Sequence, residues 1–372
     1  IADTDKAFDA IVYQYVDERS FDDEFVNAIA EGRSPDLVFL SSEDLVKHRA
    51  KLLPIPYDTI SERDFKDSYI EAAELFMLAE GVYALPFAVD PLIMYWNRDI
   101  LASNGIASAP DSWEVMLNAV LPNIIKRDTA RNLLQSGVAF GEYRNVLHAK
   151  DMLLTLAMQS GSQLTYEDDR GYVVALDQTP GATSRPPMDA AVSFYTDFSN
   201  PTSQLYSWNR SQPTDQNAFV AEDLALYFGR ASEAISIADK NPNLNFDVAP
   251  VPQGATATQK RVYGEVYGLA IPRAAANRQG AFNAARTISR NAVVFTNQLN
   301  LAPPQRSIIN TGGETAIQQI VYRSALIARG WLDPDSSSSD VIFTEMIEGV
   351  TSGRVRAANA VDDAIRRLTS VY

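Results

Sequence analysis

The apolar residues of this chain follow two rhythms. Short runs rich in β-branched and aromatic residues lie at 36–40, 82–89, 92–96, 136–140, 224–228, 246–249 and 263–271, and each has the length of a buried strand. Between them, apolar residues recur at helical spacing. Residues 188–200 place Ala191, Phe194, Tyr195 and Phe198 on one face, and residues 145–159 do the same with Val146, Ala149, Leu153 and Leu156. A longer helix is predicted over 279–300, with Phe282, Ala285, Ile288, Ala292, Phe295 and Leu299 inward. Ser20 followed by Asp22, Asp23 and Glu24 reads as a capped helix start that Gly32 ends. Residues 62–79 are helical by the same pattern, residues 171–187 read as a ribbon and loop, and the C-terminal third is mostly helical. Strands alternating with helices predict an α/β fold with largely parallel sheets.

Three places interrupt this alternation. Asp90-Pro91 separates two apolar runs and predicts a kink between two strands. Gly264 and Gly268 break the run at 263–271, where a bend or a close backbone approach is expected. Pro303-Pro304 forms a rigid linker. A chain that crosses three times between bodies builds each from separate segments. The expected division is one lobe from 1–89 with 268–303 and a second from 90–267 with 304–372, a clamshell on a multi-strand hinge. The length of 372 residues suits two lobes rather than one core.

Composition narrows the chemistry. A net charge of −15 argues against a nucleic-acid partner, whose phosphates need a basic surface. Without cysteine there is no disulfide, thiolate nucleophile or zinc–sulfur site. With only His48 and His148, a histidine-based metal cage is not expected, and both histidines read as structural. Asp333 and Asp335 lack the glycine and distal glutamate of a calcium loop. No cofactor and no metal are expected. Ser41-Ser42-Glu43-Asp44 follows a strand directly and reads either as a ligand loop or as the cap of the next helix. Trp208, in a polar loop, reads either as a ligand platform or as a lid over a core edge.

Several segments carry a family resemblance. Gly32-Arg-Ser-Pro-Asp-Leu-Val-Phe-Leu-Ser-Ser, Ala84-Leu-Pro-Phe-Ala-Val-Asp90, Met94-Tyr-Trp-Asn-Arg-Asp-Ile-Leu101, Pro110-Asp-Ser-Trp-Glu114, Ala218-Phe-Val-Ala-Glu-Asp-Leu-Ala-Leu-Tyr-Phe-Gly229 and Asp247-Val-Ala-Pro-Val-Pro252 follow one another in a specific order and spacing. In these the chain resembles extracellular solute-binding proteins of family 1, the maltose-binding-protein-like receptors of ABC importers, from about Phe21 onward. The resemblance implies a two-lobed periplasmic-binding-protein-like clamshell of type II, monomeric and without catalytic residues. It would work outside the cytoplasm, in the periplasm or at the cell surface, either free or lipid-anchored through a residue upstream of this chain. Its partners would be a small solute, most readily a carbohydrate, and an ABC transporter permease.

Position by position, the resemblance implies ligand contacts from Ser41, Ser42, Glu43, Asp90, Glu142, Tyr143, Arg144, Asn145, Arg230, Tyr263, Glu265, Tyr267 and Trp331. Trp208 joins them on the reading above. Two departures stand out. Only about a dozen residues precede Tyr13, where the family has a strand and a full helix. Arg230-Ala-Ser stands where sugar receptors often carry an aromatic platform, which leaves room for a charged or amide-rich ligand. Two other readings remain open: a glycoside hydrolase built on paired carboxylates, and a sensor or adhesin domain that binds a protein partner through the same fold.

Overall fold

The structure, a computed structural model, describes residues 11–178 and 186–372. Its main sheet has eight strands: β1 (Val38–Ser41), β2 (Ala84–Asn97), β3 (Lys126–Arg127), β4 (Leu133–Val138), β5 (Leu224–Arg230), β6 (Phe246–Pro250), β7 (Val262–Ala270) and β8 (Ala328–Arg329). They run in the order β1-β7-β2-β5-β4-β3, with β6 also on β2 and β8 also on β7. The longer helices are α1 (Glu18–Ala30), α2 (Ala149–Gln159), α3 (Pro187–Asp197), α4 (Glu233–Lys240), α5 (Arg278–Arg290), α6 (Ala316–Leu326), α7 (Ser336–Thr351) and α8 (Ala357–Val371).

The apolar runs on either side of Asp90 form one continuous strand of 14 residues, not two strands with a kink. What changes at Asp90-Pro91 is the partner. Residues 84–91 pair with β7, ending at Gly264 opposite Pro91, while residues 92–97 pair with β5 and β6. Proline has no N–H to give a ladder, so it suits the point where one ladder ends and another begins. Its carbonyl still accepts from the Ala231 N–H at 3.1 Å. The α/β class holds, but the expectation of largely parallel pairing does not. Only β4–β5 and β7–β8 are parallel in this sheet. Strand–helix alternation fixes neither neighbours nor directions. Here β5, β6 and β7 each return to the shared strand β2 in the opposite sense.

The glycine breaks in β7 mark both a bulge and a close approach. The register shifts between Tyr267 and Gly268, and a Cβ at Gly268 would lie 2.8 Å from Ala84 Cβ and from the Phe76 ring. Helix limits differ in detail. α1 starts at Glu18 with Asp17 as its cap, upstream of Ser20, and the stretch over 62–79 resolves into Glu62–Ser68, a 3-10 turn Glu71–Phe76 and a short strand. The helix predicted over 279–300 divides at Asn291 into α5 and Ala292–Thr296. The ribbon is Leu164–Asp168 with Gly171–Ala175, shifted upstream, and the rest of its predicted loop at 179–185 lies outside the described residues.

The half of the sheet built on β4 and β5 rests on an aromatic core. Phe140 meets Tyr195, Phe198 and Phe228 at ring-centre distances of 5.1 to 5.3 Å, and Trp113 stacks on Phe228 at 6.1 Å. This is the predicted inward face of α3, Tyr195 and Phe198 among it.

Candidate functional site

The end of β1 begins the site. Ser41 Oγ accepts from the Glu43 N–H at 3.1 Å, which fixes the tight turn Ser42–Asp44 after the strand, and donates to the Glu265 carboxylate. Ser42, fully buried, accepts from the Val266 N–H at 3.2 Å. The capping reading of this loop is seen: the serines cap and anchor, and they leave the Glu43 carboxylate to meet its neighbours. Glu43 accepts the Tyr263 O–H. Tyr263 and Glu265 alternate along β7, and the strand is held against α2 by the Tyr263 N–H donating to Thr155 Oγ1 at 2.9 Å.

Arg230, the last residue of β5, reaches across from the other half. Its Nε lies 3.1 Å from Asp151 Oδ2, its Nη2 lies 3.3 Å from Glu43 Oε1, and its Nη1 contacts the Glu265 carboxylate. Lys150, next to Asp151 in the first turn of α2, lies 3.9 Å from Glu43, 3.0 Å from Asp333 and 3.1 Å from Asp340. Behind them His148 stands between Asp151, at 3.1 Å, and Glu233. Glu233 also accepts from Gln216 at 2.7 Å and from the Tyr227 hydroxyl.

The charges follow from this geometry. Burial would push the His148 imidazole down, but Glu233 and Asp151 outweigh it and raise its pKa to about 10, so it is a cation at neutral pH. Burial would raise the Asp151 carboxyl, yet Arg230 and His148 hold it well below the usual carboxylate range. Arg230 is opposed by burial and stays well above its ordinary value because of Asp151 and Glu43. Asp333 is pushed up by burial, against Lys150. Ion pairs as dry as these are held by mutual geometry. Removing one partner strands the other in a poor solvent.

Ser41, Ser42, Glu43, Arg230, Tyr263 and Glu265 thus converge, as the sequence suggested. Asp90 lies opposite Glu265 in the β2–β7 register and accepts from Ser232 N–H at 3.1 Å and Oγ at 2.6 Å. Burial raises its pKa, with Ser232 opposing. Tyr267 stacks on the exposed Phe39 at 5.5 Å.

The 142–145 turn is largely occupied elsewhere. Glu142 pairs with Arg210, Arg144 with Glu348, and Asn145 donates to the Asn209 and Gln212 carbonyls. Only Tyr143 touches the cluster's margin, donating to Asp340 at 2.9 Å. The two tryptophans are corrections. Trp208 is wholly buried in the core, so it offers no face as a platform. Trp331 is equally buried, with its indole N–H on Thr165 Oγ1 at 2.9 Å and its ring edge-to-face with Phe343 at 6.0 Å. A tryptophan in a loop still carries a large apolar ring, and here both loops fold over the core.

Sequence reasoning missed Lys150, Asp151, Glu233, Asp333 and Asp340. One signal was present: His148 and Asp151 stand three apart at a helix start, on one face, where helical neighbours meet. A surface cavity of about 530 Å³ lined by Asn104, Ile106, Asp111 and Asn123 shares no residue with the cluster.

Other ties join the same segments. Lys47 meets Asp335 at 2.8 Å, and Arg49 meets Glu167 and the Tyr172 hydroxyl, each at 2.8 Å. Among the described residues no helix is long and apolar enough to cross a membrane.

Known proteins share this architecture. The chain aligns with the structure of MalE, a sugar-binding protein from Xanthomonas citri, at a TM-score of 0.76, 16% identical, covering 100% of this chain and 92% of that one. A cyclo/maltodextrin-binding protein complexed with maltotetraose gives a TM-score of 0.75 at 14% identity, covering 96% and 88%. The GacH receptor of Streptomyces glaucescens gives 0.72 at 17% identity, covering 96% and 89%. At these identities the likeness shows a shared two-lobed fold. A binding protein of Brucella abortus (strain 2308) is 22% identical over 335 residues, 88% of this chain and 75% of that protein. Residues 6–288 match the family described as bacterial extracellular solute-binding protein, and the chain belongs to that family.

Proposed function

We propose that this protein captures a small solute, a carbohydrate, between its two lobes outside the cytoplasm and passes it, as a monomer, to the permease of an ABC importer. It makes and breaks no bonds. The observation that carries the reading is the Glu43–Arg230–Glu265 contact, in which a group from the turn after β1 and a group from β7 meet a group from β5. Polar side chains facing one another between lobes are what a hydroxyl-rich solute needs, since carboxylates accept and guanidinium donates. One similar structure holds maltotetraose, and GacH was solved with acarbose. The lobe boundaries, 1–89 with 268–303 against 90–267 with 304–372, are part of the proposal. They are supported by the partner change at Asp90-Pro91 and by β1 pairing with Tyr267–Ala270.

A thermal-shift titration with mono- and oligosaccharides tests the reading. Binding at a hundred times Kd stabilises by about 2.7 kcal/mol, and Glu43→Gln should weaken it at least tenfold. No shift with any sugar, or hydrolysis of a glycoside, would refute it.

A further inference from the structure

Three side chains on one short helical run reach the second lobe. The turns Ser42–Asp44, Leu45–His48 and Arg49–Lys51 follow one another without a break after β1, and by the division proposed above they belong to the first lobe. Glu43 meets Arg230 at 3.3 Å, Lys47 meets Asp335 at 2.8 Å, and Arg49 meets Glu167 at 2.8 Å. All three partners lie in the second lobe. Consecutive helical turns move as one body. A displacement that parts Glu43 from Arg230 therefore draws Lys47 and Arg49 from their partners as well.

Arg49 is held in two halves. From its own lobe, Glu80 accepts from Nη2 at 2.6 Å, and the Tyr83 ring centre lies 5.7 Å from the guanidinium carbon. From the second lobe, Glu167 and the Tyr172 hydroxyl each accept from Nη1 at 2.8 Å, and the Tyr172 ring centre also lies 5.7 Å away. Glu167 and Tyr172 stand directly opposite each other in the ribbon, so the two make one double acceptor. The ribbon is a separate two-stranded sheet that rests on the second lobe. Its Thr165 accepts from the Trp331 indole at 2.9 Å, and Tyr172 packs on Tyr372 at 5.0 Å. Arg49, Glu167 and Tyr172 are not among the candidate solute contacts.

A solute held between Glu43 and Arg230 needs hydrogen-bond distance on both sides of itself. At 3.3 Å the two residues bond each other instead, so this arrangement of the lobes competes with capture. Whatever else stabilises it is subtracted from the binding free energy. Resting on the carbohydrate-receptor reading, we propose that Arg49, Glu167 and Tyr172 form an autoinhibitory latch, which holds the lobes in this self-paired arrangement and opens before a sugar enters. Opening leaves the guanidinium its near half, Glu80 and Tyr83, so the charge keeps a partner in both states.

Small-angle X-ray scattering and calorimetric titration with maltose and maltotetraose test this on the intact chain. Glu167→Gln with Tyr172→Phe removes the far half of the clamp alone. Without sugar its radius of gyration should exceed the parent's, and it should bind the sugars about fivefold more tightly. Glu80→Gln removes the near half, favours the latched form and should weaken binding about twofold. Opposite signs separate a latch from a general loss of stability, which would move both variants the same way and overturn the inference. If the double variant does not fold by circular dichroism, Glu167→Gln alone decides, with a smaller shift of the same sign. An unchanged radius or an unchanged affinity overturns the inference and leaves the carbohydrate reading standing. Weaker binding by the Glu167 variants overturns it too, because the clamp would then belong to the sugar-bound form. If no sugar of the thermal-shift set binds parent or variant, the carbohydrate reading falls, and the scattering alone decides the latch.

Discussion

Phe228 and Arg230 stand two residues apart on β5, and they head two clusters with opposite physics. Phe228 belongs to the aromatic core with Trp113, Phe140, Tyr195 and Phe198. Arg230 belongs to the ionic cluster with Glu43, Asp151 and Glu265. Both join segments far apart in the chain. The aromatic cluster is held by area and dispersion, which have no direction and respond little to salt or pH. The ionic cluster is held by charge pairs whose strength depends on every member's protonation and on exclusion of water. The lesson is a division of labour: one region keeps the half rigid, and the other changes with protonation and with the access of water.

The largest expected effect is on the aromatic side. Phe140→Ala should cost about 3–5 kcal/mol in urea denaturation, with little change between low and high salt. A strong salt dependence would break the contrast. Asp151→Asn should cost somewhat less, about 3 kcal/mol, because it leaves both Arg230 and His148 without their shared carboxylate. A loss under 1 kcal/mol would show that the ionic cluster contributes little to the fold.

A smaller effect separates the regions by pH. His148 has a folded pKa raised to about 10. Its contribution is fully present below its ordinary value near 6.5 and is lost as pH rises toward 10. Asp151 runs the other way. Its pKa is held down, so its contribution is present above the ordinary carboxylate range and is lost on acidification. Urea midpoints from pH 3 to 10 should fall at both ends. His148→Gln should flatten the alkaline fall, while Phe140→Ala should keep both. An alkaline fall unchanged by His148→Gln would assign it to another group.

The smallest effect belongs to Trp208. Its indole N–H finds no acceptor in the structure, so Trp208→Phe loses packing alone. We expect about 1 kcal/mol and unaltered sugar affinity by thermal shift. A tenfold loss of affinity would restore this residue as a solute platform.

Several members of the ionic cluster were named through the family resemblance, and each sits at a change in the local pattern. Ser41-Ser42-Glu43 follows a buried strand, Arg230 ends another, and Tyr263 and Glu265 alternate on a glycine-broken third. Lys150 and Asp151 were not legible. They lie in a helix whose other residues read as core, and the one local sign, His148 three residues before Asp151, does not say which distant charges its first turn meets. The tryptophans misled for the converse reason. A polar loop sequence says that the backbone is irregular, not that its largest side chain is exposed, and Trp208 and Trp331 both turn inward.

By itself, the sequence determined the periodicities, and with them the longer strands, most helices and the α/β class, because side-chain spacing sets which faces can be buried. It also determined the place on β2 where something must change, since proline cannot extend a ladder on both sides. Only the tertiary structure decided that the change is one of partners along an unbroken strand, that most pairings are antiparallel, and which charges meet. Those outcomes depend on which distant segments come to share β2. Contacts across such separations are fixed by the packing of the whole chain, not by any local run of residues.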